Sequence, residues 1–320
     1  MRKKFLIFFT LISALFLAAC QSNTERYGEP LIFTTGTTTG VFYSLGAGLS
    51  TMWTKDLEKR VASQASNGSV ENLNLMRKKE ANIAFTTVNI AYEAYNGEGS
   101  FKDRKYEGVR ILGNLYPNIS HIIVKNNDKF KTIEDLKGTR FVYGAAGSST
   151  EFETRLVMES HGIQDKDIRP NYVGFTEATD LLRNGQVEGA NIYSGIPAAA
   201  ATELITTVDT KILSFSKEAV KEMTEKYPWN FEYTIKANTY DDQPQDILTV
   251  GQYSTIVVDE SVSDETIYEL TKLLWENTDT LAGSYSVAKQ FDAENAVKGT
   301  ADVPLHPGAE RYYREIGVLN

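Results

Sequence analysis

The chain of 320 residues carries 42 acidic and 33 basic side chains, a formal charge of −9, with three histidines and one cysteine. Such an acidic balance argues against nucleic acid or an anionic membrane surface as a partner, and one cysteine excludes an internal disulfide framework. A chain of this length buries a large core and suggests two lobes.

Arg2, Lys3 and Lys4 open the sequence, and Phe5 to Ala19 follow as an apolar stretch too short for a comfortable membrane span. This pattern predicts a secretory signal over residues 1–19. Leu17-Ala18-Ala19-Cys20 resembles a bacterial lipobox, in which the cysteine becomes the first mature residue and carries diacylglycerol. Residues 20–30 then read as a polar tether. Removing the three basic signal residues leaves 30 Lys+Arg against 42 Asp+Glu, a formal charge of −12.

From Leu31 strands and helices alternate. LIFTTG reads as a strand, and GVFYSLGAGLSTMWTKDL as a helix with Leu45, Leu49, Met52, Trp53 and Leu57 on one stripe. VASQAS is a strand, and SVENLNLMRKKE a helix that Ser69 is placed to cap. ANIAFTTV is a strand, NIAYEAYNGEG a helix closing on glycine, and VRILGNLY a strand followed by SHIIVKN. A short TIEDLKG helix and TRFVYGAAG precede the STEFETRLVMESHGI helix. IRPNYVGF, TEATDLLRNGQ, VEGANIYSG and AAATELITTV continue the alternation. FEYTIKANTY and ILTVGQYSTIVVDE read as long strands, and SDETIYELTKLLWENTDTL as a capped helix. The order predicts α/β lobes with mainly parallel sheets.

TTGTTTGVFYSLG, residues 34–46, places hydroxyls and glycines without any charge where a strand turns into a helix. Such a junction presents backbone N–H groups to an anion. TRFVYGAAGSSTEFETRL repeats its design, which would let two lobes aim matching loops at one cleft. Neither loop is a phosphate loop, because no Gly-Lys-Ser/Thr is present, and the dinucleotide fingerprint G-x-G-x-x-G is missing. No cofactor is therefore expected. His121, His161 and His306 are scattered, so no metal site is expected. Ser149 lacks G-x-S-x-G and a clear base partner, which leaves an exported hydrolase as a weak alternative. Recognition by N–H groups and hydroxyls, without turnover, is the remaining chemistry.

TGTTTGVFYSLG (35–46), NGSVENLNLM (67–76), ANIAFTTVNIAYEAYNG (81–97), LKGTRFVYGAAGSSTEF (136–152) and PLHPGAERYYREIG (304–317) together resemble the TAXI group of TRAP transporter solute receptors, in lipoprotein form. The resemblance covers nearly all of the chain after Cys20. It implies a type II-like periplasmic-binding-protein fold of two α/β lobes, with the ligand cleft between them. It further implies a monomeric receptor that delivers a small anionic solute, such as glutamate or a related carboxylate, to a TRAP membrane permease of the fused type.

Carried over by position, the resemblance gives Thr38, Thr39, Gly40, Val41, Phe42 and Tyr43 as pocket residues of the first loop. It adds Asn67, Gly68, Ser69 and Val70, then Thr87, Val88 and Asn89. From the other lobe come Gly147, Ser148, Ser149 and Thr150, with Tyr193, Ser194 and Gly195. The chain departs from the family pattern at Thr37, Thr39, Val41, Phe42 and near Thr87, which leaves the solute open. Tyr43 also reads as interlobe packing, Asn67-Gly68 as a plain turn signal, and Arg155 as a surface residue rather than a ligand contact. PLHPGAERYYREIG reads as a proline-started terminal helix that packs Tyr312 and Tyr313.

The lobes are expected at residues 31–118 with about 245–320, and at 119 to about 244. The first crossing is placed near Tyr116–Ser120, and the return between Phe231 and Gly251. A receptor of ABC type for a phosphonate-like anion or a thiamine precursor is the alternative binding protein. The anchor is directly testable. Cys20→Ser should abolish labelling by radiolabelled fatty acid and shift the protein to the soluble exported fraction; unchanged labelling would remove the lipoprotein reading.

Overall fold

The computed structural model describes residues 29–57 and 59–320. The signal, the lipobox and Cys20 lie outside the described residues. Among those described, no helix is long and apolar enough to cross a membrane.

The first βα units follow the sequence pattern. Strand β1 (Leu31–Thr34) leads to helix α1 (Val41–Asp56), β2 (Val61–Gln64) to α2 (Ser69–Arg77), and β3 (Ile83–Thr87) to α3 (Val88–Asn96). Gly97 closes α3 in the left-handed conformation, at φ 74°, where glycine avoids the cost a Cβ would bring. Ser69 does not cap α2; it is the first helical residue, and Gly68 holds the N-cap position.

The next strand departs from the expectation. VRILGNLY and SHIIVKN form one strand, β4 (Val109–Lys125), which runs straight through Pro117. Proline is tolerated there because its neighbour across the ladder, Tyr253, belongs to a stretch with two nearby register shifts. TIEDLKG is only a 3₁₀ turn, Ile133–Leu136, held by a Thr132–Asp135 capping box.

The second set of units is β5 (Arg140–Val142), α4 (Ser149–Ser160), β6 (Arg169–Asn171), α5 (Phe175–Arg183), β7 (Gly189–Ser194) and α6 (Ala199–Thr207). Two elements were not read from the sequence: β8 (Thr210–Leu213) and α7 (Lys217–Lys226). TKIL is short, and α7 is strongly charged with only Ala219, Val220 and Met223 buried. Strand β9 (Phe231–Ile235) and the long β10 (Ile247–Asp259) precede α8 (Asp264–Glu276), α9 (Thr278–Ser284) and α10 (Pro307–Glu315).

The strands form one path, β2-β1-β3-β10-β4-β7-β5-β6, with β8 on β4 and β9 on β10. Pairing is parallel within β2-β1-β3 and within β7-β5-β6. Every pair made by β4 or β10 is antiparallel, so the sheet is less parallel than expected. Two parallel lobes are thus joined by two long strands that belong to both. Their shared stretch includes Gly251↔Ile119 and Ser254↔Tyr116.

Each lobe has its own core. The first gathers Phe33, Leu45, Trp53 and Phe85 with Leu270, Trp275, Tyr312 and Tyr313 from the C-terminal helices. Leu73, Met76, Ile90 and Phe101 fill its other face. The second lobe packs Phe130, Phe141, Val157 and Met223 on one face and Leu182, Ile192, Leu204 and Tyr240 on the other. Trp53 Nε1 donates to Leu270 O at 3.1 Å, and Tyr313 Oη donates to Leu112 O at 3.0 Å. The terminal helix is structural, as the sequence pattern indicated.

Gly308 sits where α10 begins against α8, and a Cβ there would fall on the Asp264 carbonyl oxygen and press on the Tyr268 amide. Backbone on both sides cannot yield. Gly308→Ala should therefore cost about 2–3 kcal/mol, read as a lower denaturant midpoint with an unchanged slope.

Candidate functional site

A cavity opens between the lobes, with about 60 Å³ of room for the centres of water-sized molecules. Four helix starts meet around it. Gly40, Gly68, Ser148 and Gly174 are the N-cap residues of α1, α2, α4 and α5, and all four line the cavity. The three glycines provide no side-chain cap. The first N–H groups of a helix have no partner within it; here Val70 N donates to Gly147 O and Glu151 N to Ser148 Oγ, both at 3.1 Å, while those of Val41, Phe42, Ser149, Thr150 and Phe175 belong to residues of the cavity lining.

The junctions are held by local bonds. Gly40 N donates to Thr37 O at 2.8 Å. Its φ is −87°, so its conformation suits other residues, but a Cβ would sit 3.2 Å from Thr37 O. Helix α1 has no acidic residue in its first turn, which leaves its positive end uncompensated. The other junctions carry a glutamate there. Glu71 Oε2 accepts from Asn67 N and Nδ2 at 3.0 and 2.8 Å, and Glu151 Oε2 accepts from Gly147 N at 2.8 Å. Gly68, at φ 116°, needs the freedom only glycine has. Behind the first loop, buried Asn72 donates to Thr35 O at 2.7 Å and to Phe85 O at 2.8 Å. That bond pair fixes the end of β1 against β3.

The lobes touch at the mouth. Val70 N donates to Gly147 O at 3.1 Å, and Thr176 Oγ1 donates to Thr39 Oγ1 at 3.1 Å. Gln290 Nε2 reaches Ile196 O at 2.8 Å on the far side. The structure is therefore a closed arrangement.

Of the residues named from sequence, Gly40, Val41, Phe42, Asn67, Gly68, Ser148, Ser149, Thr150, Tyr193 and Ser194 line the cavity. Thr38 and Thr39 are exposed outside it, and Thr39 serves the mouth contact instead. Tyr43, Ser69, Val70 and Gly147 stand beside the lining. Thr87, Val88 and Asn89 are buried at the start of α3, and Gly195 is covered by Val287 and Tyr116. Arg155 is taken up by Glu151 at 3.0 Å, by Asp165, and by the Tyr172 hydroxyl at 2.8 Å.

Sequence reasoning did not name Gly36, Thr37, Tyr116, Asn118, Ala145, Gly174 or Phe175, which also line the cavity. Two signals were present. Tyr116 and Asn118 stand at the expected crossing, where a strand between lobes must face the cleft. NYVGFTEATDLL repeats the strand–glycine–helix design once more.

No charged side chain is among the lining residues. Burial raises the pKa of the Tyr116 and Tyr193 phenols, and both hydroxyls lack a partner. They are donors at neutral pH. Ser149 Oγ makes no hydrogen bond with a histidine or carboxylate among the described residues, so it has no base to activate it. No group of three His, Cys, Asp or Glu able to hold a metal occurs among them either. The arrangement can hold an anion by dipoles and hydroxyls.

The overall shape is shared with solved binding proteins. PhnD1 of Prochlorococcus marinus in complex with methylphosphonate is similar at 10% identity, covering 91% of this chain and 99% of that one, with a TM-score of 0.58. The alkanesulfonate-binding protein SsuA of Xanthomonas axonopodis pv. citri, bound to MOPS, gives 13% identity, 90% and 84% coverage, and a TM-score of 0.50. The substrate-binding protein of an amino acid ABC transporter gives 13% identity, 80% and 99% coverage, and a TM-score of 0.50. At these identities the likeness establishes the fold, a two-lobed periplasmic-binding-protein α/β architecture. A family model matches residues 33–317, nearly the whole described chain, and the protein belongs to the NMT1-like family.

Proposed function

We propose that the protein is an extracytoplasmic solute receptor that closes on a small anionic solute and delivers it, unchanged, to a membrane transporter. The observation that carries this reading is the meeting of four helix starts, three with bare glycine caps, at a cavity without charged walls. Each helix end favours an anion by about 0.3–1 kcal/mol when exposed, and by more when partly buried. The ends are contributed by both lobes, so the solute itself supplies the contacts that select the closed state. No fixed cation is needed, and separation of the lobes dissolves the site.

The solute is a carboxylate or a similarly small anion, with glutamate as a first candidate from the TAXI resemblance. Phe42, Phe175 and Tyr116 give it an apolar flank. The transporter is of TRAP type on the same resemblance. An ABC transporter fits at least as well, because proteins with this fold include the binding protein of an amino acid ABC transporter. The lobes divide at the shared stretch of β4 and β10, and a signal with a Cys20 lipid anchor holds the receptor at the outer face of the cell membrane.

Mass spectrometry of the small molecule that co-purifies with the protein would identify the solute, and a nucleotide, metal or cationic species there would overturn the reading. With the solute at 100 times its dissociation constant, the wild type should gain about 2.7 kcal/mol of stability. Gly40→Val should keep a cooperative melt near the unliganded midpoint and lose that gain. A full ligand shift in the variant would show that the first loop is only a turn.

A further inference from the structure

Behind the cavity wall lies a buried polar chain that anion binding does not use. Glu153, in the second turn of α4, is wholly buried. Its Oε2 accepts from Gln252 Nε2 at 3.3 Å, and its Oε1 has no partner. Gln252 is on β10 where that strand passes between the lobes, opposite Asn118. Its own Oε1 accepts the backbone N–H of Asn89, at the start of α3, at 3.3 Å. Asn89 Oδ1 accepts from Thr87 Oγ1 at 2.6 Å, while Asn89 Nδ2 is unpartnered. The chain Thr87–Asn89–Gln252–Glu153 therefore leads from the first lobe, through the joining strand, into the second. Tyr193, whose side chain lines the cavity, adjoins Gln252 and Glu153 and has a buried hydroxyl without a partner.

A carboxylate with one long hydrogen bond and no cation, in a dry site, takes a proton rather than remain charged. Burial accordingly raises the Glu153 pKa from 4.5 to about 8, with the Gln252 bond opposing. The groups facing it are few. From β7 comes the Tyr193 phenol, from β10 the Gln252 amide, and from α3 only Asn89 by way of Gln252. Glu151 and Arg155 of α4 pair with each other at 3.0 Å. Helix α7, which packs on α4, contributes no charged side chain to its surroundings.

We propose that Glu153 is a positioning residue of the cleft that closure buries in its protonated form, bonded to Gln252 of the joining strand, so that capture of the solute takes up a proton. This rests on the reading of the cavity as a solute cleft. On this proposal, parting the lobes admits water to Glu153 and returns it towards its ordinary 4.5, while closure holds it near 8. Below the lower value both states hold the proton, and closure is independent of pH. Between the two, only the closed state holds it, and the closed-to-open ratio falls by up to about tenfold per pH unit. Above the upper value both states are ionised and the dependence ends.

The test needs no solute. The wild-type protein, Glu153→Gln and Glu153→Met would be followed from about pH 5.5 to 8.5 by small-angle scattering and thermal melting. Expected is a wild type whose radius of gyration rises and whose melting midpoint falls as pH rises, against a Glu153→Gln that stays compact throughout and a Glu153→Met that, having lost the bond to Gln252, is looser but equally insensitive to pH. Glu153→Met guards against a fault particular to the glutamine. Curves that run parallel for all three proteins would overturn the proposal. So would a wild-type melting shift with no change of shape, because Glu153 would then titrate without acting on the lobes. Either result would leave anion binding untouched, and failure to bind any small anion would leave this pH response to stand or fall separately.

Discussion

A buried helix start leaves N–H groups that must find acceptors or water, and this structure brings four such starts to one cavity. Most of the site follows from that debt of acceptors. Gly147 O satisfies part of it by accepting from Val70 N across the lobes. Ser148 satisfies another part with its own hydroxyl, which accepts from Glu151 N at 3.1 Å. The end of α1, a helix of 16 residues without an acid in its first turn, is left with the greatest unmet demand. An acceptor from outside the chain completes what the chain omits. The cavity walls carry no charged side chain, so the helix ends set the potential there.

The joining strands set how the site assembles. β4 and β10 lie side by side, antiparallel, and each continues into both lobes. Motion between lobes can then be taken up by twist along a two-stranded ribbon whose ladder bonds persist. The register shifts at Ser254/Thr255 and Ile256/Val257 fall within this ribbon, where bulges increase local twist. Tyr116 and Asn118 line the cavity from the same segment, so the ribbon that joins the lobes also forms part of the cavity wall.

Much of this was legible in the sequence because it depends on local rules. The strand–glycine–helix junctions, the αL glycine at Gly97, the Ser263 cap and the proline-started last helix are signals within a few residues. The lobed α/β class follows from their alternation. What was not legible depends on pairing across the chain. VRILGNLY and SHIIVKN read as two segments, whereas tertiary pairing carries β4 through Pro117 between them. Helix α7 hides because its stripe holds three apolar residues among charges. The cavity positions show the same division: Gly40 and Ser148 are marked by their own junctions, but Thr38 and Thr39 are exposed, and Thr39 is engaged by Thr176 of the other lobe, a pairing no local signal announces. Glu153 reads as an ordinary helix-face acid, and only packing shows that water cannot reach it.

The first lobe is not continuous in sequence. Phe33, Leu45 and Trp53 pack against Leu270, Trp275 and Tyr313, so their core closes only when the last fifty or so residues arrive, a figure set by where α8 and α10 lie. The second lobe draws its helices and short strands from one unbroken stretch between β4 and β10. During synthesis the later-made lobe can therefore become native before the earlier-made one. The N-terminal units wait, with Trp53 and Leu49 uncovered, as the segment most exposed to chaperones and proteases until the chain is complete.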